Sequence, residues 1–231
     1  MGKGAPLRWL ENSILRRHLR GRGMELGALG RPFPLGRGAR VWYVDRMGGN
    51  GLQSHYPEVG GNIVLPHVVA DAAELPVGAG SLDFIIASHL LEHLPFPLKA
   101  LRNWHDALRP GGALLLRVPD KRFTFDVRRS TTPLEHLVEE HEHPERFDRR
   151  SHFADWTANV VGLPAGSPQF TQTLQQLLDS DYSIHYHVWT SEDLLRVVDY
   201  TISKWRLKWK PELFWRAHFY RKETVALLGR K

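Results

Sequence analysis

The chain has 231 residues, of which 42% are hydrophobic and 24% charged, and this balance is typical of a single globular domain. No run of about 18 apolar residues indicates a membrane-spanning helix, and the basic N-terminus lacks the apolar core of a secretory signal. The lack of cysteine excludes disulfides and thiolate metal sites. We therefore expect a soluble cytoplasmic protein, and its formal net charge of +6 leaves an anionic partner open.

Strands and helices alternate in the first half of the chain. Leucine and isoleucine at helical spacing predict an amphipathic helix over 7–20, and the spacing of 98–108 predicts another. Short apolar runs between turn residues predict five strands, at 24–26, 41–44, 63–69, 82–87 and 113–118. This alternation is typical of a doubly wound α/β sheet.

The pattern changes after the fifth predicted strand. Residues 121–189 are rich in histidine and charge and carry little strand signal, which predicts a helical cap over the active edge of the sheet. A capped helix follows over 191–200. Alternation over 203–209 then predicts a strand, with 224–228 as its antiparallel partner.

Three acidic residues lie at or near the ends of the early predicted strands: Glu25, Asp45 and Asp71. Ligands of open α/β sheets bind at the carboxyl ends of the strands. A carboxylate there accepts hydrogen bonds from ribose hydroxyls, and a glycine such as Gly27 lets the backbone approach the ligand. Asp45 follows Gly27 by about 20 residues, the spacing expected of a ribose-binding acid. The alternative is that Asp45 is only a polar residue that ends a strand.

The loop after the first strand has an incomplete glycine pattern. Its sequence, Glu25-Leu26-Gly27-Ala28-Leu29-Gly30, lacks the full G-x-G-x-x-G motif that surrounds a pyrophosphate. This counts against a dinucleotide cofactor, and therefore against a dehydrogenase. It is compatible with a nucleoside ligand that carries no phosphate.

Five segments, taken in order, resemble the motifs of class I S-adenosylmethionine-dependent methyltransferases. They are the first cofactor loop at 23–28, the ribose-binding acid at 44–45, an adenine-side segment at 70–76, the fourth strand and following loop at 81–94, and the turn at 108–112. The resemblance is closest to a branch that tailors bacterial surface polysaccharides and other glycans. That narrower likeness lies in 118–126 and 183–189.

The resemblance implies an α/β fold: a Rossmann-like seven-stranded methyltransferase sheet with helices on both faces and a helical insertion after strand 5. It implies S-adenosyl-L-methionine as the cofactor. It also implies a single domain over 1–231. The segments of this domain are an N-terminal helix at 1–22, a cofactor-binding half at 23–120, a histidine-rich cap at 121–189, and a final helix with C-terminal strands at 190–231.

The same resemblance assigns the cofactor-binding residues. They are Glu25, Gly27, Ala28, Asp45, Arg46, Asp71, Ala72, Ser88, His89 and His93. The chain departs from the family at Leu29, which stands where the common pattern has its second glycine. We therefore expect an unusual path for this loop, and the contact of Gly30 with the cofactor is in doubt.

Methyl transfer needs alignment of the acceptor and, for a hydroxyl, removal of its proton. Histidine suits this role because its pKa lies near neutrality. The candidate bases are His152, His185 and His187, with Asp120 at the end of the fifth strand as an orienting or basic group. In an extended segment His185 and His187 point to the same side and could both face the acceptor pocket. The alternative for each histidine is a hydrogen bond inside the cap.

A metal site is another role for the histidines of the cap. His136 and Glu140 are four residues apart, as on one helix face, and His141 and His143 follow closely. No three-ligand motif such as H-E-x-x-H is present, and the acidic run around Glu140 is more typical of a solvated face. We therefore expect no metal.

The C-terminal region interleaves aromatic residues with lysine and arginine. The aromatic residues are Trp205, Trp209, Phe214, Trp215, Phe219 and Tyr220. We favour packing of the tryptophans on the sheet, and the alternative is stacking on sugars or bases. The leading function is methyl transfer to an oxygen or nitrogen of a small-molecule or glycan-linked acceptor. The alternative is a nucleic-acid or anionic-surface binding protein on the same scaffold.

Overall fold

A mixed sheet of seven strands forms the centre of the computed structural model, which describes residues 5–231. The strands are β1 (Gly21–Leu26), β2 (Ala39–Asp45), β3 (Val68–Val69), β4 (Leu82–Ser88), β5 (Leu108–Pro119), β6 (Trp209–Trp215) and β7 (Glu223–Arg230). Their order across the sheet is β3-β2-β1-β4-β5-β7-β6. Strands β1 to β5 are parallel, whereas β7 pairs antiparallel with both β5 and β6.

Helices cover both faces of the sheet. In the described part of the chain the α-helices are α1 (Ala5–Leu15), α2 (Gly49–His55), α3 (Pro97–Ala107), α4 (Leu134–Glu142), α5 (Arg149–Trp156), α6 (Pro168–Asp179) and α7 (Ser191–Trp205). Side chains of α3, α4 and α7 pack on one face of the sheet, and α1 packs on the other. The α/β sheet expected from the sequence is confirmed, with helices on both faces.

Side chains of the central strands alternate between the two halves of the core. Ile85 and Ala87 of β4 face the side of α3 and α7, while Phe84 and Ile86 face Leu15 of α1. Because both faces are covered, β4 has the continuous apolar run that predicted it. Burying each large side chain stabilises the fold by about 1.5–3 kcal/mol.

The connection between β1 and β2, residues 27–38, contains no helix. Leu29 has φ of 44°, a left-handed conformation that is uncommon for a residue with a side chain. A Cβ on Gly30 would lie 2.6 Å from Cγ1 of Val59, so the loop packs closely on the segment that contains Val59. The loop therefore takes the unusual path expected from its sequence. With no helix over this connection, Trp42 of β2 is 38% exposed, and the strand is less buried than its apolar run predicted.

The predicted strand at 63–69 is wrong in extent. Only Val68–Val69 pair with β2. Pro66 lacks the N–H that a ladder needs, and β3 lies at the edge of the sheet.

The predicted strand at 203–209 is also wrong. Helix α7 continues to Trp205, five residues beyond the predicted helix end, and Arg206 ends it with φ of 53°. The strand β6 begins only at Trp209. At the other end of the chain, α1 stops at Leu15, and the first four residues of the segment 1–22 lie outside the described residues.

The cap inserted after β5 is helical, as expected. It contains α4, α5 and α6, and it leaves and rejoins the sheet at one place, where Asp120 forms a β-bridge with Trp189. This place lies at the carboxyl end of β5, so the cap stands beside the carboxyl edge of the parallel strands. None of the helices in residues 5–231 has the length and apolar character needed to cross a membrane.

Candidate functional site

A cavity of about 360 Å³ opens at the carboxyl edge of the parallel strands, beside α1 and the loop after β1. It is lined by Arg8, Asn12, Glu25, Arg31, Pro32, Phe33, Pro34, Ser88 and Arg117. Of the expected cofactor residues, Glu25 and Ser88 line this cavity. The others lie outside its walls, along the loops that continue from the same strand ends.

Glu25 is the buried acid of the cavity. Its side chain accepts a hydrogen bond from the Phe33 amide at 2.7 Å through Oε1, while Oε2 has no partner among the described residues. Burial raises the pKa of Glu25 to about 7, although the Phe33 amide and the charge of Arg117 lower it. A partly satisfied carboxyl group with such a pKa is suited to receive a positively charged donor.

Gly27 and Asp45 lie side by side at this edge, because the Gly27 amide donates to the Val44 carbonyl at 2.9 Å. Gly27 has φ of 63°, a conformation that favours glycine, and a Cβ there would lie 3.2 Å from Leu90. Asp45 is half-buried, and its Oδ1 accepts from the Arg46 amide at 2.7 Å. Burial raises the pKa of Asp45 above its usual value.

Ala28 and Arg46 continue from the ends of β1 and β2. The Ala28 carbonyl accepts from the Arg31 amide at 2.9 Å and so closes a turn. The Arg46 side chain extends to the cap, where it forms an ion pair with Asp181. Arg149 of α5 pairs with the same carboxylate. Arg46 therefore connects the end of β2 to the cap through its side chain.

Asp71 and Ala72 follow β3. Asp71 is exposed, and its Oδ1 accepts from a backbone amide two residues later at 2.8 Å. The Ala72 carbonyl accepts from the indole N–H of Trp104 at 2.7 Å. This loop lies next to Asp45, because the Ala70 amide donates to the Asp45 carbonyl at 3.0 Å.

Ser88 ends β4, and His89 turns the chain away from the sheet with φ of 53°. Nε2 of His89 lies 2.6 Å from Oε2 of Glu223 at the start of β7. Burial alone would lower the pKa of His89. The hydrogen bond to Glu223 and the charges of Glu92 and Glu223 together have the larger effect, so the pKa lies above its usual value. The His89 side chain therefore points to β7.

His93 joins the loop after β4 to the cap. Its Nδ1 lies 2.8 Å from the Ile184 carbonyl oxygen, and its ring meets the ring of His185 edge to face at 4.7 Å. Burial and the charge of His185 lower the pKa of His93 to about 3, so the imidazole is neutral. Neighbouring Glu92 is 1% exposed, and neither of its carboxylate oxygens has a hydrogen-bond partner in the described structure.

Asp120 is enclosed at the junction between β5 and α7. Its Oδ2 accepts from the Ser191 amide at 2.8 Å and from Nη2 of Arg122 at 2.7 Å. Burial alone would raise the pKa of Asp120. The hydrogen bonds from Arg122 and Ser191 together have the larger effect, so the pKa lies below its usual value. The geometry favours an anchoring role for Asp120 over the orienting or basic role expected from the sequence.

His185 pairs with an acid that the sequence reasoning did not single out. Its Nδ1 lies 2.7 Å from Oδ2 of Asp126, whose other oxygen accepts from Arg129 at 3.0 Å. Burial alone would raise the pKa of Asp126. The hydrogen bonds and charges of His185 and Arg129 together have the larger effect, so the pKa lies below its usual value. The rings of Phe125 and Trp156 flank the imidazole, with centroids at 4.9 and 5.8 Å.

His152 and His187 belong to a different group, around Glu140. Their Nε2 atoms lie 2.7 and 3.7 Å from the Glu140 carboxylate. His187 is fully buried, and burial together with the charge of His152 lowers its pKa to about 3. His185 and His187 therefore do not share one pocket. Glu140 is only 6% exposed, so the solvated face expected for its run does not extend to this residue.

Sequence reasoning also missed the polar partners of the cavity. Arg117 is 3% exposed within β5, and its Nη2 donates to Oδ1 of Asn12 at 2.6 Å. The signal was an arginine inside an otherwise apolar strand run. For Asp126, the signal was its place in the segment 118–126, which resembles the glycan-tailoring branch.

The C-terminal aromatic residues divide between packing and exposure. Trp209 is buried, and Trp205, Phe214 and Trp215 pack against the core. This supports the packing interpretation for the tryptophans. Phe219 and Tyr220, between β6 and β7, are 77% and 65% exposed.

Three solved structures share this architecture. A candidate zinc-dependent alcohol dehydrogenase from Rhodobacter sphaeroides matches with a TM-score of 0.58 and 14% identity, over 96% of this chain and 89% of that one. The PH0226 protein from Pyrococcus horikoshii matches at 0.55 and 13%, over 98% and 90%. Burkholderia thailandensis 1,6-didemethyltoxoflavin-N1-methyltransferase, solved with 1,6-didemethyltoxoflavin and S-adenosylhomocysteine, matches at 0.51 and 15%, over 99% and 80%. At these identities the matches show a common fold.

A family model shows which protein family the chain belongs to, which the shared fold does not. No curated protein matches the chain. The model described as a methyltransferase domain matches residues 17–160, which is more than half of the 231 residues and includes β1 to β5 and the first part of the cap. The chain therefore belongs to the methyltransferase-domain family.

Proposed function

We propose that the protein transfers a methyl group from S-adenosylmethionine to an oxygen or nitrogen of a small-molecule or glycan-linked acceptor, with His185 as the base. The observation that carries this proposal is the hydrogen bond of 2.7 Å between Nδ1 of His185 and Asp126. It places the ring proton on Nδ1, and Nε2 then has a lone pair with no hydrogen-bond partner in residues 5–231. The pair lies against His93, in the loop after β4.

The residues at the carboxyl edge fit this cofactor. Glu25 offers a buried carboxylate oxygen without a partner, which suits the positively charged amino-acid end of the ligand. The bare backbone of Gly27 leaves room beside Leu90, where a Cβ would crowd the loop. Asp45, next to Gly27, offers a carboxylate to the ribose hydroxyls. When bound, the cofactor supplies a methyl group on a positively charged sulfur.

Asp126 and Arg129 prepare His185 for proton transfer. Arg129 is 2% exposed and donates to Asp126, which keeps that carboxylate ionised. The carboxylate holds the His185 ring in one orientation and stabilises the imidazolium that forms when Nε2 takes the acceptor's proton. Neither His152 nor His187 has a comparable arrangement, because Nε2 of His152 lies against Glu140 and Nε2 of His187 donates to the Pro95 carbonyl.

Aromatic side chains around His185 indicate the kind of acceptor. Phe125 is 54% exposed and Tyr182 is 49% exposed, and both lie in contact with the ring of Trp156. Exposed aromatic faces beside a base suit an acceptor with a flat or ring-shaped apolar surface, such as a sugar. This supports a small-molecule or glycan-linked acceptor.

Calorimetry with S-adenosylmethionine and S-adenosylhomocysteine tests the cofactor site. We expect both to bind, and we expect Asp45→Ala to weaken both by about tenfold or more, because two hydrogen bonds to the ribose are lost. Asp199→Ala is the matched control, since Asp199 is an exposed acid on α7. Equal affinity of the Asp45 variant and the wild type would show that another group holds the ribose.

Turnover measurements test the base. Release of S-adenosylhomocysteine is followed with a panel of sugar hydroxyls and small amines, and we expect His185→Ala to lower kcat by about 100-fold or more. Cofactor affinity should stay within about threefold, because a base acts in the chemical step and contributes little to ground-state binding. Asp126→Asn should shift the pH profile as well as lower kcat, since it alters the orientation and charge of the pair.

His143→Ala is the control for the base, because it removes another cap histidine that lies outside both groups. Wild-type kcat in the His185 variant, or an equal loss in the control, would remove His185 from the reaction. Absence of cofactor binding in the calorimetric experiment would instead contradict methyl transfer itself.

A further inference from the structure

Four side chains of the cap converge on one point, away from the cavity and from His185. We call this group the cap cluster: Glu140 of α4 with His136, His152 and His187. Nε2 of His136 and Nε2 of His152 lie 3.0 and 2.7 Å from Oε1 of Glu140, and Nε2 of His187 lies 3.7 Å from Oε2. The His152 ring centroid lies 5.5 Å from those of His136 and His187.

The hydrogen bonds of His152 show that a positive charge belongs between its ring and Glu140. Its Nδ1 lies 3.1 Å from the Tyr186 carbonyl oxygen, and a carbonyl only accepts, so Nδ1 carries a proton. In the neutral ring, the lone pair of Nε2 then faces the lone pairs of Glu140 at 2.7 Å. Two acceptors at that distance repel unless a proton or a metal ion lies between them.

Glu140 gives a second sign of a missing partner. The residue is 6% exposed, and Oε2 is buried without a hydrogen-bond partner in the described structure. His187, on the same side, is fully buried, and its Nε2 donates to the Pro95 carbonyl at 3.2 Å, so it leaves Oε2 without a hydrogen bond. An isolated buried carboxylate is unfavourable in a protein interior, and coordination of a metal ion satisfies both of its oxygens or shares its charge.

We infer that the cap cluster binds one divalent transition-metal ion of the zinc class, with nitrogen from His136 and His152 and oxygen from Glu140, and with water in the remaining position. Zinc prefers four such ligands at about 2.0–2.1 Å in a tetrahedron, in which ligand atoms lie about 3.3 Å apart. Nε2 of His136 and Nε2 of His152 lie 3.0 and 2.7 Å from the same oxygen of Glu140, close to that spacing. Imidazole and carboxylate ligands suit zinc better than they suit calcium or magnesium.

The ligands come from two helices of the cap. His136 and Glu140 lie one turn apart on α4, and His152 lies on α5. One ion would therefore fasten α4 to α5. His136 is 45% exposed, so the site has a route to solvent. Because the His185 ring lies with Asp126 instead, the ion has a structural role and does not touch the base.

Metal analysis of the whole protein tests this site without any measurement of methyl transfer. The protein is stripped with a chelator, loaded with Zn²⁺, and analysed by plasma mass spectrometry after competition with a chelating dye. We expect one zinc per chain and a higher Tm with Zn²⁺ than without it. Loading with Co²⁺ should give the visible absorption bands of a four-coordinate site.

Two variants and one control assign the ion to these residues. His136→Ala should weaken zinc binding by about 100-fold with little cost to folding, since His136 is partly exposed, and Glu140→Gln should do the same. His143→Ala, just beyond the end of α4, should bind zinc like the wild type. Failure of the wild type to bind Zn²⁺ or Co²⁺, or full retention in the His136 and Glu140 variants, would overturn the proposal. The cluster would then be held by protons alone.

Discussion

At the scale of single residues, Glu25 combines burial with an unsatisfied carboxylate oxygen, two properties that rarely occur together in a stable core. It is 1% exposed, and one of its carboxylate oxygens has no hydrogen-bond partner. Burial raises its pKa to about 7, so close to neutral pH the side chain is distributed between the neutral and the ionised form. A positively charged ligand in the cavity favours the ionised form, because its charge replaces the water that Glu25 has lost.

Cofactor binding should therefore release a proton. Near pH 6.5 Glu25 is largely protonated in the free protein, and binding of S-adenosylmethionine should lower its pKa and expel that proton. Calorimetry in two buffers of different ionisation enthalpy measures the number released, which we expect to be about one half or more at pH 6.5 and near zero above pH 8.5.

Glu25→Gln is the matched variant, since it keeps the size and the hydrogen-bond acceptor for the Phe33 amide. It should release no proton from this position and should bind the cofactor more weakly at pH 8. Equal proton release by this variant and the wild type at pH 6.5 would mean that another group titrates.

Individual site residues were predictable where the signal was local. Glu25, Gly27 and Asp45 stand at the ends of apolar runs, and the carboxyl ends of parallel strands meet at one edge, so their neighbourhood followed from the pattern. The pair of Asp126 and His185 did not, because 59 positions separate the two residues. The burial of Glu140 was hidden for the same reason, since it depends on α5 and on the segment around His187.

At the scale of elements, the close packing of β1 on β4 depends on one glycine. The Cβ that an alanine would add at Gly23 lies 2.4 Å from ring carbons of Phe84, which is 0% exposed. Phe84 has no space to move away, because it packs against Leu15 of α1 and Leu115 of β5.

Gly23→Ala should therefore destabilise the protein by about 1–3 kcal/mol, measured as the free energy of unfolding in urea. Gly78→Ala is the control, because a Cβ at that exposed loop position meets no atom within 4 Å. If the two variants unfold at the same urea concentration, the sheet is able to shift and the contact between Gly23 and Phe84 does not limit it.

Elements with a long pattern were predictable, and those with short or mixed patterns were not. The run at 82–87 and the spacing of 98–108 gave β4 and α3 almost to the residue. The alternation over 203–209 misled, because Trp205 at the end of α7, Leu207 in the turn and Trp209 at the start of β6 all pack on the core at a spacing of two. Only the left-handed turn at Arg206 separates these elements, and no local signal marks it.

On the scale of the whole molecule, the sheet and the cap are joined through the loop after β4. The backbone amides of Tyr186 and His187 donate to the Glu92 carbonyl at 2.8 and 3.2 Å, and His93 reaches the Ile184 carbonyl. The sequence predicted a cap over the carboxyl edge, but it could not show this attachment, because the contacts connect segments about 90 residues apart. The attachment includes a histidine that must stay neutral.

This neutral histidine makes the joined molecule sensitive to acid. The pKa of His93 is about 3 in the folded protein, because of burial first and the charge of His185 second, and about 6.5 in an unfolded chain. Between these values the unfolded chain binds a proton that the folded one does not. The free energy of unfolding therefore falls as pH decreases from about 6.5 towards 3, by up to about 1.4 kcal/mol per pH unit for one such group.

His93→Asn isolates this contribution, because asparagine does not titrate and keeps an N–H donor for the Ile184 carbonyl. We measure the free energy of unfolding in urea between pH 7 and pH 4.5, with a chelator present. We expect this free energy to fall less steeply with decreasing pH in the variant than in the wild type, and the difference in slope should correspond to about one proton. Glu25 and His89 oppose the trend in both proteins, since their pKa values are raised, and they cancel in the comparison. Parallel pH dependences would show that His93 accepts a proton without opening the junction of cap and sheet.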